Sequence, residues 1–81
     1  MTISVRLFAE LRERFGFQTG NVTIPDGGTI TDLLNHLGER VPAARLLLAK
    51  SMTSIGSEYA SRDCPLRNGQ EVAVLPPVSG G

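Results

Sequence analysis

Thr29-Ile30-Thr31-Asp32-Leu33-Leu34-Asn35-His36-Leu37-Gly38-Glu39-Arg40-Val41-Pro42 carries the strongest structural signal in the chain. Ile30, Leu33, Leu34, Leu37 and Val41 recur at the three- and four-residue spacing that lines one side of a helix. Thr29 stands where an N-cap hydroxyl belongs. Asp32, three residues on, fits the acid of a capping box near the positive end of the helix dipole. Pro42 forbids continuation, because the residue before a proline is pushed out of helical geometry. Gly38, close to that end, is expected to begin the unwinding. The reading is a helix over Thr29–Arg40 with one apolar stripe that must be buried.

The segments outside this helix have a different period. Ile3, Val5 and Leu7 alternate with Thr2, Ser4 and Arg6, as in a strand with one buried face. Phe8, Leu11 and Phe15 then fall at helical spacing, and Gly16 supplies a stop, which predicts a short helix over Ala9–Phe15. Asn21–Ile24 reads as a second strand with Val22 and Ile24 inward, ended by Pro25 and Asp26-Gly27-Gly28. Glu71–Leu75 is a final strand, with Val72 and Val74 inward.

Between them, Ala43–Ser51 suits either a helix or a buried strand, since a run of leucines has no diagnostic period. Thr53–Ile55 and Glu58–Ala60 read as short strands around a turn at Gly56-Ser57, and Asn68-Gly69 marks a further turn. The order is strand, strand, helix, then two or three short strands. A single main helix packed across a mixed sheet of four to five strands is the economical way to bury one stripe. The fold class is therefore α+β, on the β-grasp plan of ubiquitin-like proteins. Residues 1–75 form one domain, and residues 76–81 form an extended C-terminal tail.

Composition narrows the function. Eight basic residues balance eight acidic ones in 81, and no basic stripe stands out, so nucleic acid is not an expected partner. A single cysteine, Cys64, excludes an intramolecular disulfide framework and fits a cytoplasmic protein. Apolar runs such as Leu46–Ala49 are far too short to span a membrane, so no membrane is expected either. Asp26, Asp32, Asp63 and the glutamates lack metal-ligand spacing, so no metal is expected. Ser54, Ser57 and Ser61 have no accompanying His–Asp pattern, and His36 lies on the polar side of its helix.

The chain ends Pro76-Pro77-Val78-Ser79-Gly80-Gly81. Consecutive prolines cannot extend a ladder and favour a stiff, extended lead-out. Gly80 and Gly81 have no Cβ, which lets a backbone lie close to the walls of a narrow channel. Such an end suits the delivery of a terminal carboxylate to a partner's site. A frayed tail is the plainer alternative.

Cys64 to Gly81, and above all Glu71-Val72-Ala73 followed by Pro76-Pro77-Val78-Ser79-Gly80-Gly81, resembles the end of the small subunit of molybdopterin synthase, a ubiquitin-like sulfur-carrier family. Val5-Arg6-Leu7-Phe8-Ala9-Glu10-Leu11-Arg12-Glu13 is similar to that family's first strand and short helix, and the resemblance runs over all 81 residues. It implies that a ubiquitin-activating-type enzyme uses ATP to adenylate Gly81, and that sulfur then replaces AMP to give a thiocarboxylate. Both modifications are transient, and no cofactor stays bound. The sulfur goes to cyclic pyranopterin monophosphate in the large subunit, within an assembly of two large and two small subunits. Gly81 is then the reactive residue. Pro76, Pro77, Val78, Ser79 and Gly80 form the partner-binding tail. Acid–base groups belong to the partner, and no independent activity is implied.

Phe8 and Tyr59 fit either the core or, with Leu75, an exposed docking patch beside the tail. Three departures from the family pattern stand out. Gly56 occupies a slot that often holds Asn, and Asn68 and Gln70 replace two usual aspartates. The matching spacing assigns Thr53–Gly56 to a strand and makes Ala43–Lys50 helical or turn-like. The alternatives are a sulfur carrier for thiamine, cysteine or tRNA thiolation, a protein modifier conjugated through its C-terminus, and an interaction module with an inert tail.

Overall fold

Alternation along the first strand sets the frame. In a computed structural model, which describes residues 1–77, β1 spans Thr2–Leu7 with Ile3, Val5 and Leu7 wholly buried. The chain then turns at once into α1 (Ala9–Phe15), which ends where expected. Gly16 takes the left-handed conformation (φ 81°), and its N–H donates to the Arg12 carbonyl at 2.9 Å. β2 (Thr19–Thr23) starts two residues before the expected Asn21, because Thr19 and Gly20 pair with Arg6 and Val5 of β1. Ile24 lies just past the strand and stays buried, its N–H donating to the Met1 carbonyl at 3.0 Å.

α2 (Ile30–Arg40) has the full reciprocal cap at its start. The Asp32 carboxylate accepts from the Thr29 N–H at 2.8 Å, and the Thr29 hydroxyl accepts from the Asp32 N–H at 3.4 Å. Ile30, Leu33, Leu34 and Leu37 are buried, as the stripe requires, and Val41 packs on the core from the C-cap. Gly38 does not begin the unwinding. It stays helical and buried, and a Cβ there would meet the Arg45 side chain at 3.0 Å.

The ambiguous segment is helical: a 3₁₀ turn at Pro42–Ala44 leads into α3 (Arg45–Lys50). Ala44 and Leu48, four residues apart, are buried, whereas Leu46 is 78% exposed. Arg62 closes this helix from a distant loop, donating from Nη2 to the carbonyls of Ala49 at 2.9 Å and Ser51 at 2.8 Å. β3 (Met52–Ile55) and β4 (Glu58–Tyr59) form a hairpin whose last pair is Ile55 with Glu58. Gly56 takes φ +66° in its two-residue turn, a backbone that Asn also tolerates, so the departure at this position leaves the turn intact.

β5 (Glu71–Leu75) lies between β1, to which it is parallel, and β3, to which it is antiparallel, in the sheet order β2-β1-β5-β3-β4. This is the mixed five-stranded β-grasp sheet, with α2 packed across one face. The two other departures act within the fold. Asn68 Oδ1 accepts from the Thr2 N–H at 2.7 Å, and Gln70 Oε1 accepts from the Arg67 N–H at 2.6 Å, closing the loop that feeds β5.

Candidate functional site

β5 separates two surfaces by its own alternation. Val72 and Val74 point into the core and are fully buried, so Glu71, Ala73 and Leu75 fall on the opposite face. Register then fixes their neighbours. Leu75 is opposite Met52, and Ala73 lies between Arg6 and Ser54, with Tyr59 beyond Ser54. Phe8 continues the extended backbone one residue past Leu7, which pairs with Val74, and so stands beside Leu75. Phe8 and Leu75 are half-buried, yet neither is among the hydrophobics packed on the core. Met52 is 53% and Tyr59 73% exposed.

Phe8 and Tyr59 thus both lie outside the core cluster, on the open face of the sheet. Phe8, Leu75 and Met52 make one apolar row across three strands at the end of the sheet where β5 runs out. Tyr59 lies on the same face in the adjoining row, toward the edge. Met52 escaped the sequence reading, because its place beside Leu75 depends on a non-local register. The alternation Met52, Thr53, Ser54, Ile55, once paired with Glu71–Leu75, would have found it. Among the described residues the one ion pair on this face, Arg6 with Glu71 at 4.0 Å, is about half exposed at both partners and carries little energy.

The tail leaves from the middle of this row. β5 is paired on both sides up to Val74 and on the β3 side at Leu75. Pro76 and Pro77, which lack N–H groups, then release the chain from the ladder. Pro76 is half-buried and Pro77 exposed. Val78, Ser79, Gly80 and Gly81 lie outside the described residues.

Among the described residues, the remaining candidates lie apart from one another. Ser54 is on the open face, and His36, half-buried on α2, lines a cleft with Asp32 and Glu39 on the helical side. Ser61 donates its hydroxyl proton to Asp63 at 2.6 Å. The Cys64 thiol is half-buried beside the Pro65 carbonyl at 3.6 Å. Among the described residues, no three His, Cys, Asp or Glu side chains come together in a metal-binding group. No buried polar side-chain atom there lacks a partner, and no helix there is long and apolar enough to cross a membrane. A groove of about 600 Å³ runs between α2 and α3 past Leu34, Gly38, Arg45 and Leu48, away from the tail exit. What the open face can do chemically is seat an apolar partner and aim the tail.

The chain is 35% identical over 81 residues to the molybdopterin synthase sulfur carrier subunit of Escherichia coli, covering 98% of this chain and 99% of that one. Among solved structures, SAMP1 of Haloferax volcanii, a small archaeal modifier protein, superposes with a TM-score of 0.87 at 28% identity, over the whole of both chains. A chain in the protein–protein complex of subunits 1 and 2 of the molybdopterin-converting factor from Helicobacter pylori superposes with a TM-score of 0.68, again over the whole of both. At 20% identity that last likeness bears on the fold alone. The ThiS family profile matches residues 5–81. With that match, a full-length relative above 30% identity and a β-grasp fold, the chain belongs to the ThiS family.

Proposed function

We propose that this chain is the sulfur-carrier small subunit of a molybdopterin synthase, with Gly81 as the residue that bears the sulfur. The observation that carries the reading is the exit of Pro76-Pro77 from the central strand beside the Phe8–Leu75–Met52 row. A docking face and a tail that originate at one point let a partner hold the domain and receive the terminus at once. The Escherichia coli relative supports the same assignment.

A carboxylate is a poor acyl donor, so the cycle begins with ATP. A Gly81 carboxylate oxygen attacks the α-phosphorus, pyrophosphate leaves, and an acyl adenylate forms on a ubiquitin-activating-type enzyme. A persulfide sulfur then attacks the acyl carbon and AMP departs. A thiol supplies the two electrons that cleave the resulting S–S bond and leave a thiocarboxylate. In the large subunit the terminal sulfur attacks a carbon of cyclic pyranopterin monophosphate and displaces its oxygen substituent. Water then cleaves the acyl–sulfur bond, returning the Gly81 carboxylate and leaving sulfur on the pterin, and two such transfers complete the dithiolene. The assembly holds two large and two small subunits, in the cytoplasm. This chain contributes the nucleophile and its delivery. The partner contributes the proton transfers and the phosphate contacts.

The test is the position of the terminus. Deleting Gly81 shortens the reach by about 3.3–3.6 Å and leaves a competent carboxylate in the wrong place. Adding one residue displaces it equally in the other direction. Both variants should keep the parent circular-dichroism spectrum, since no core residue changes, and both should lose pterin conversion in the reconstituted complex. Conversion at the parent rate by either one would end this reading.

The likeness to SAMP1 favours a second reading, a protein modifier. It uses the same activated Gly81 and differs only in the acceptor, an amine instead of sulfur. An isopeptide-linked product in place of a pterin dithiolene tells the two apart.

A further inference from the structure

Seven of the eight basic residues are arginines, and Lys50 is the only lysine. The difference is chemical. A guanidinium stays protonated and is no nucleophile near neutral pH, whereas an ε-amine can release its proton and attack an acyl carbon. In a chain whose carboxyl end is activated, each lysine is a competing acceptor, and here there is one.

The other primary amine is occupied. The Met1 amino group donates to the Ile24 carbonyl at 2.7 Å and pairs with the Asp26 carboxylate at 3.1 Å, while the Met1 side chain packs on the core. The next nitrogen, Thr2 N–H, donates to Asn68 Oδ1 at 2.7 Å. Lys50, by contrast, is exposed at the end of α3, and no ion pair among the described residues involves it. Its backbone is held on both sides, because Arg62 Nη2 binds the carbonyls of Ala49 and Ser51. The structure therefore presents one amine on a fixed platform and ties up the other.

We propose that Lys50 is the acceptor amine through which one copy of this chain is joined to the activated Gly81 carboxyl of another. The inference rests on the reading of Gly81 as an activated carboxyl, though not on where its sulfur goes. The neutral Nζ attacks the acyl carbon of the adenylate and a C–N bond forms. The bond from that carbon to the AMP oxygen breaks, AMP leaves with the electron pair, and the surplus proton on nitrogen passes to water. Nothing is oxidised or reduced. Sulfur donor and Lys50 compete for the same carbon, so conjugation becomes the outcome when sulfur is short. With one lysine per copy, every link is the same and the product cannot branch.

The experiment uses the full chain carrying Gly81 as a thioester of mercaptoethanesulfonate, where the thiol leaves in place of AMP. Free lysine added to one sample should give the Gly81 lysyl amide, which establishes that the acyl donor is competent. Without it, a covalent dimer resistant to hydroxylamine should accumulate, and peptide mapping should find Gly81 joined to Lys50. Resistance to hydroxylamine separates this product from a thioester on Cys64. Lys50→Arg should lose the resistant dimer while keeping the parent unfolding midpoint and the parent rate of pterin conversion. A resistant dimer that persists in Lys50→Arg or maps to Met1, or its absence from the parent while free lysine still reacts, overturns the proposal. If the Lys50-linked dimer forms but the parent fails in pterin conversion, the sulfur-carrier reading falls and this one stands.

Discussion

Alternate residues of β5 look onto two unlike surfaces. On one, Val72 and Val74 are fully buried with Ile3, Val5 and Leu7 beneath the leucines of α2. On the other, Ala73 and Leu75 lie among Phe8, Met52, Ser54 and Tyr59, with no helix of the described residues above them. Both surfaces hold large hydrophobic side chains, but only the first buries them fully. An apolar side chain contributes to folding in proportion to the area it removes from water. Met52 and Tyr59 keep more than half of theirs exposed, and that area is still free to be buried by a partner.

Three substitutions probe that division. The largest effect belongs to the covered face: Leu37→Ala removes a fully buried side chain and should cost about 2–5 kcal/mol, read by urea unfolding. A loss of less than about 0.5 kcal/mol would mean that α2 does not cover the sheet as described. On the open face, Met52→Asp should weaken association with a molybdopterin synthase large subunit by about tenfold or more, roughly 1.4 kcal/mol. Its unfolding midpoint should scarcely move, because exposed substitutions usually stay within about 0.5 kcal/mol. Titration calorimetry beside urea unfolding reads both, and a large stability loss with unchanged association would reverse the roles of the faces. The smallest effect sharpens the contrast. Arg6→Ala breaks only a half-exposed pair at 4.0 Å, so stability should change by less than about 0.5 kcal/mol and the salt dependence of association only slightly.

The covered face was legible in the sequence because it is written locally. The cap of Thr29 and Asp32, the stripe from Ile30 to Leu37 and the alternation of Ile3, Val5 and Leu7 are each read within one element. What the sequence left open depends on distant partners. Ala43–Lys50 has no decisive period, and it becomes a helix because Ala44 and Leu48 pack on the core and Arg62 closes its end from another loop. The early start of β2 follows from pairing with β1, which carries Gly20 into a strand it would not favour alone. Local pattern alone does not place Phe8 or Tyr59 in the core or, with Leu75, on an open face. Only the register among β1, β5, β3 and β4 puts them on one face and adds Met52.

The position of β5 also determines how the molecule bears a load. Traction applied through Pro76 and Pro77 runs along the axis of a strand laced on one side to Ser4–Leu7 and on the other to Met52–Ile55. To slide it out, the ladder bonds on both flanks must be sheared together; they cannot be opened one after another like a zip. If a partner takes the terminus as proposed, the pull falls on the part of the domain best able to resist it.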